Sequence, residues 1–103
     1  MSRAAFPSPG TDNWRLLEDL LKNHPTPSWD CNSRLGMTAH SRASDLRRLG
    51  WVVVHETRST PRRAKKLGHG YALARLPRLG RSAIPPALLP EWDQAQSRKH
   101  QAA

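Results

Sequence analysis

The sequence predicts a small α+β domain, three helices followed by a β-hairpin, in a chain of 103 residues. Three observations lead there. Apolar residues recur at helical spacing in the first half, and β-branched residues take over after Gly50. The basic excess sits where the two halves meet. Residues 34–78 hold eleven Lys or Arg against two acids, Asp45 and Glu56, while six basic and six acidic residues cancel elsewhere. The formal net charge of +9 therefore belongs wholly to that window.

Residues 1–10 carry Pro7, Pro9 and Gly10 among small residues and read as a loose arm. Thr11 or Asp12 is placed to cap a helix running to about Asn23, because a short side-chain oxygen satisfies early backbone N–H groups. Trp14, Leu17 and Leu21 share one stripe of that helix, widened by Leu16 and Leu20. His24-Pro25-Thr26-Pro27 stops it, since each proline disfavours helical geometry in the residue before it. A second short helix is expected over 28–35, with Cys31 and Leu35 one turn apart and Gly36 ending it in a left-handed conformation.

The third helix is expected over 38–49, closed by Gly50. Ala39, Ala43 and Leu46 form its apolar stripe, and Thr38, Ser41, Ser44, Asp45 and Arg48 lie opposite, flanked by Arg42 and Arg47. Residues 51–58 (W-V-V-V-H-E-T-R) read as a strand, with 71–76 (Y-A-L-A-R-L) as partner. Between them, 59–70 reads as a long basic loop holding Arg62, Arg63, Lys65 and Lys66. From Pro77 onward, Pro77, Pro85, Pro86 and Pro90 break any long element, and 97–103 reads as disordered. Ile84, Leu88, Leu89 and Trp92 are too apolar for a free tail. They are expected to fold back as an extended strap or single turn, or to meet a second copy in a homodimer. The organisation is thus an arm (1–10), a domain (11–79) and a Pro-rich extension (80–103). The expected core is Trp14, Leu17, Leu21, Cys31, Leu35, Ala43, Leu46, Trp51, Val52, Val54 and Leu73.

A localised basic surface attracts polyanions by counterion release, and nucleic acid is the commonest of these. Anionic membrane is the rival, but a membrane-surface helix needs bulky apolar residues opposite its basic face, and the Ala39–Ala43–Leu46 stripe is small. Short hydroxyls beside arginines suit a helix that enters a groove and bonds to phosphates and base edges. No run reaches bilayer length and the start lacks a signal-type apolar segment. The single Cys31 cannot form an internal disulfide and fits a reducing cytoplasm. His24, His40, His55, His69 and His100 are dispersed without zinc-like spacing and read as surface or hairpin residues. Without paired acids or a phosphate-cradling glycine loop, and with only Arg34 near Cys31, neither catalysis nor a cofactor or small-molecule ligand is expected.

Helix, short helix, turn, helix, strand, basic loop, strand is an order that resembles the winged helix-turn-helix fold. More narrowly, S-R-A-S-D-L-R-R-L-G-W (41–51), followed by V-V-V-H-E-T-R and Y-A-L-A-R-L, is similar to the small winged helix domains common in bacteriophages and prophages. That group shows S-R-I-S-D-L-R-x-x-G before an aromatic or aliphatic residue, then a strand, a short basic loop and K/R-Y-x-x-Y-x-L. The resemblance spans about 13–76. Ala43 departs from it, standing where a larger aliphatic residue is usual, and the basic loop is longer.

The resemblance implies sequence-specific binding of double-stranded DNA, as by phage or prophage transcription regulators and excisionase-like factors. It implies Thr38, His40, Ser41, Arg42, Ser44, Arg47 and Arg48 as contacts of a recognition helix, with Arg42 and Arg48 suited to guanine. Arg34, Arg58, Arg62, Arg63, Lys65 and Lys66 would meet phosphate or the minor groove. Asp45 reads as a helix-internal partner of Arg42 or Arg48. Two alternatives stand beside this: an adaptor or inhibitor binding another protein's acidic surface, and an RNA-binding module.

Overall fold

Thr11 starts the first helix, its hydroxyl oxygen accepting from the Trp14 N–H at 3.3 Å. This is seen in a computed structural model that describes residues 4–29, 31–60 and 63–101, with the side chains of 58–68 and 99–101 outside the description. Helix α1 (Asp12–Asn23) buries Trp14, Leu16, Leu17, Leu20 and Leu21, both the expected stripe and its widening. His24 follows it into the interior rather than onto the surface. Its Nδ1–H donates to the Leu73 carbonyl at 3.0 Å, satisfying a group that burial takes from water.

The helix expected over 28–35 divides in two: strand β1 (Ser28–Trp29) and helix α2 (Cys31–Leu35). The reason lies far along the chain. Strand β3 (Arg63–Leu73) offers an edge, and β1 pairs with it antiparallel, Ser28 opposite Tyr71 and Trp29 opposite Gly70. Gly36 ends α2 with φ +63°, the left-handed turn anticipated for it. Helix α3 (Ala39–Arg48) follows, with Thr38 as the residue before it. Thr38 makes no side-chain cap bond. Asn32 of α2 supplies the cap instead, its Oδ1 accepting from the Ala39 N–H at 2.6 Å.

Strand β2 (Val53–Thr60) and β3 pair antiparallel in a three-stranded sheet of order β1-β3-β2. Two expectations change here. The strands reach well into the basic segment, with Thr57 opposite His69 and Ser59 opposite Leu67, so most of 59–70 is a paired ribbon rather than a loop. A ladder gives those residues backbone partners that an open loop lacks. The second change is the face on which the valines lie. Val53 is buried, whereas Val52 and Val54 are 38% and 36% exposed and leave the predicted core. Trp51 already points inward, and a period of two then selects Val53.

The N-terminal residues are docked from Ala4 onward, not loose. Buried Trp51 needs an acceptor for its indole N–H and finds the Ala5 carbonyl at 2.7 Å, while the Ala5 N–H donates to Leu49 O at 2.7 Å. Phe6 meets the Trp51 ring edge-on at 5.3 Å. At the other end, 3₁₀ turns at Arg81–Ala83 and Pro86–Leu88 lead into helix α4 (Leu89–Gln101). Prolines at 86 and 90 occupy first-turn positions, where a missing N–H is harmless, so they start elements rather than break them. The expected strap keeps a single turn at Pro86–Leu88, but from Leu89 to Gln101 the chain is a 13-residue helix that reaches into the end expected to be disordered. It packs on α1, bringing Ile84, Leu88, Trp92 and Ala95 into the same core. Of the apolar side chains singled out in the sequence, Ile84, Leu88 and Trp92 are buried by their own chain and Leu89 is half-buried. Among the described residues this is a small α+β domain of four helices and one three-stranded antiparallel sheet.

Candidate nucleic-acid interface

Helix α3 turns Ala39, Ala43 and Leu46 fully inward. What remains outward is polar. Thr38, His40, Arg47 and Arg48 are exposed, and Ser41, Arg42, Ser44 and Asp45 are half-buried. Asp45 pairs with Arg42 at 3.2 Å and approaches Arg48 at 3.9 Å, the helix-internal role expected of it. The Arg48 side chain is 82% exposed and its ion pair is long. Ion pairs this open contribute little, so a phosphate or base edge can replace Asp45 at small cost.

Two of the expected contact arginines have other occupations. The Arg47 Nε donates to the Val53 carbonyl at 2.9 Å, tying the last turn of α3 to the start of β2. Arg34 forks onto Asp19, with Nη1–Oδ1 at 2.8 Å and Nη2–Oδ2 at 2.6 Å, and also donates to the Ser28 hydroxyl, which in turn bonds Asp19. These bonds join α1, β1 and α2, and the carboxylate raises the guanidinium pKa further. Asp19 is a structural residue that the sequence reading misses. Its signal is legible all the same, since an acid between Leu16 and Leu20 lies beside an apolar stripe and a buried charge demands a partner. Cys31 completes the cluster, its thiol donating to Ser28 O at 3.3 Å. Burial pushes that thiol above its ordinary range, which makes it a poor nucleophile.

Of the remaining basic candidates, Arg58 lies on β2 and Arg63, Lys65 and Lys66 on β3. Their side chains fall outside the described residues, as does the whole of Arg62. Arg58 is opposite Gly68, and Thr60 is opposite Arg63 after a register shift. Arg75 and Arg78 add exposed charge just after the ribbon.

The ribbon also brings together two histidines that the sequence holds apart. His55 faces Tyr71 across the ladder and Thr57 faces His69, so the two imidazoles are diagonal neighbours on one face. Their planes lie within 10° with centroids 5.2 Å apart, and His55 Nε2 and His69 Nδ1 are 3.0 Å apart. No spacing rule finds such a pair, because only the register creates it. Among the described residues no group of three or more His, Cys, Asp or Glu could hold a metal, and no helix is long and apolar enough to cross a membrane. Comparison with protein-family models, with curated proteins and with solved structures finds no match.

Proposed function

We propose that this chain is a sequence-specific double-stranded DNA-binding protein of the winged helix-turn-helix type, acting as a phage or prophage transcription regulator or an excisionase-like factor. The observation that carries the reading is the division of α3, with Ala39, Ala43 and Leu46 fully buried and an outer face of hydroxyls and arginines. Such a face carries little apolar surface to hide and many groups that bond to phosphates and base edges. In this reading α3 is the recognition helix, with Thr38, His40, Ser41, Arg42, Ser44 and Arg48 toward the major groove. The Thr38 hydroxyl, which makes no cap bond, suits that role, since Asn32 does its capping. The β2–β3 ribbon is the wing, and Arg58, Arg62, Arg63, Lys65 and Lys66 follow the phosphate backbone. Arg34 and Arg47 drop from the DNA-facing set to structural ties.

The test is a site selection from random duplexes, followed by binding of the preferred and scrambled sites across salt. Arg48→Ala is expected to lose about 1–3 kcal/mol on the preferred site and much less on scrambled DNA. Replacing Arg62, Arg63, Lys65 and Lys66 with alanine weakens both and lowers the slope of the salt dependence by roughly 0.9 for each phosphate no longer neutralised. No duplex binding at low salt overturns the reading. The alternative of a protein-binding adaptor draws on a different surface, the exposed Val52 and Val54 on the outer side of the sheet. Binding that survives Val52→Thr with Val54→Thr but not Arg48→Ala separates the two.

A further inference from the structure

We infer that His55 and His69 form a bidentate site for a transition-metal cation of the copper(II), nickel(II) or zinc(II) type, bridging the two strands of the ribbon. The site stands on the ladder and the ring geometry, and it is independent of what the protein binds elsewhere.

Imidazole is the ligand these ions share, bound at about 2.0 Å. Two nitrogens at that distance from one ion, meeting at square-planar or tetrahedral angles, lie roughly 2.8–3.3 Å apart. His55 Nε2 and His69 Nδ1 are 3.0 Å apart, inside that interval. Without a cation the two nitrogens share one proton, in a hydrogen bond in which one ring donates and the other accepts. A cation takes the place of that proton, which the donor ring then carries on its other nitrogen after exchange with water, so that both rings stay neutral; the ion sits to the side of the line joining the nitrogens. Each ring must therefore turn so that its lone pair points at a common centre rather than at the other nitrogen. Both residues are exposed, so rotation about the terminal side-chain bond is open to them and water can complete the coordination.

The backbone supplies what a chance meeting of two surface histidines lacks. Tyr71 sits directly opposite His55 and its ring meets the imidazole at a tilt of 35° with centroids 4.9 Å apart, and it is itself buried, so one ligand rests against a fixed neighbour. His69 is carried on the same strand as Tyr71, two residues away and on the same face. The chelate therefore starts with both donors already close, which raises the effective concentration of the second imidazole. Glu56, the nearest acid along β2, belongs to the opposite face by alternation, so the site is a neutral pair of nitrogens rather than a carboxylate cage. That favours the borderline metals over magnesium or calcium.

The test uses the full, tag-free chain titrated with copper(II), nickel(II) and zinc(II) salts, followed by calorimetry and by ¹⁵N-¹H correlation spectra. The expected result is one equivalent bound, most tightly for copper(II), with spectral changes centred on His55, Thr57, His69 and Tyr71. His55→Ala and His69→Ala should each weaken binding about tenfold or more, since either change leaves a monodentate ligand. His40→Ala, which removes an exposed histidine on α3 away from the ribbon, should leave the metal affinity as it is. Unchanged affinity in either single variant overturns the proposal, as does a spectral change in the wild type centred away from the ribbon. The wild-type spectra decide this even if a variant were to lose its fold.

Discussion

Placing a methyl group at position 70 should destabilise the protein, and removing one aromatic ring should reverse the sign of that effect. A Cβ built on Gly70 stands 2.6, 2.8 and 2.9 Å from Cε3, Cζ3 and Cδ2 of Trp29. Carbon atoms prefer about 3.5–4.0 Å, so the overlap approaches roughly 1 Å at three ring atoms. The indole cannot retreat with its backbone, because Trp29 is the ladder partner of Gly70. It has to rotate off the strand, giving up the cover it provides. Overpacking of this kind costs about 1–3 kcal/mol. Against it, alanine is favoured over glycine inside a strand by roughly 0.5–1 kcal/mol. Gly70→Ala alone should therefore lose about 1 kcal/mol, within a span of roughly 0–2.5 kcal/mol, and in a Trp29→Ala background it should gain roughly 0.5–1 kcal/mol. Urea unfolding of the four proteins in this cycle measures both values and their coupling. If Gly70→Ala has the same sign in both backgrounds, the ring is not what excludes a side chain, and the reasoning from the ladder fails.

Two other consequences are open to measurement. Cys31, buried and with its thiol raised by burial, should react with thiol reagents orders of magnitude more slowly in the native protein than in urea. Burial raises the Tyr71 phenol too, so an unfolded chain releases both protons before the folded one does. Their contribution to stability is complete below the unfolded thiol's pKa and is lost as pH rises toward the folded values. Stability should thus decline above about pH 8.5, and less steeply in Cys31→Ala. Truncation after Leu79 removes Ile84, Leu88, Trp92 and Ala95 from the core. It should lower the melting temperature while light scattering reports a monomer before and after; a dimer that dissociates on truncation would contradict the packing of α4 on α1.

How much of the fold the sequence discloses depends on how far each signal reaches. Helices α1 and α3 are legible because their stripes, the Thr11 cap of α1 and the stops at Pro25 and Gly50 are local. Gly36 is legible for the same reason. Strand β1 is not, since two residues carry no periodicity and their pairing is with Tyr71 and Gly70, more than forty positions away. The reach of the ribbon through Lys65, Lys66 and Gly68 is hidden because those residue types are poor strand formers and the ladder overrides them. The inward Val53 is open to inference, since placing Trp51 in the core leaves no choice for the alternation after it. On the candidate interface, the outer face of α3 follows from its stripe. The occupations of Arg34 and Arg47 do not, because Asp19 and the Val53 carbonyl are neighbours only in space.

The corner between α3 and β2 has a mechanical consequence. From Val53 to Thr60 the ribbon extends about 25 Å, at roughly 3.3 Å per residue, in a molecule measuring 46 Å along its long axis and 25 Å along its short one. A tilt of roughly 10° at its root moves the outer end by about 4 Å, comparable to the separation of adjacent strands. The root is where the bolts are: Arg47 Nε to Val53 O at 2.9 Å, Trp51 N to Leu46 O at 3.1 Å, and Ala5 bridging Leu49 and Trp51 at 2.7 Å on each side. The ribbon behaves as a long pointer on a short mount, and the aim of its far end is decided by a handful of bonds around one tryptophan. Loosening any of these bonds would shift that aim without altering a single residue along the ribbon itself.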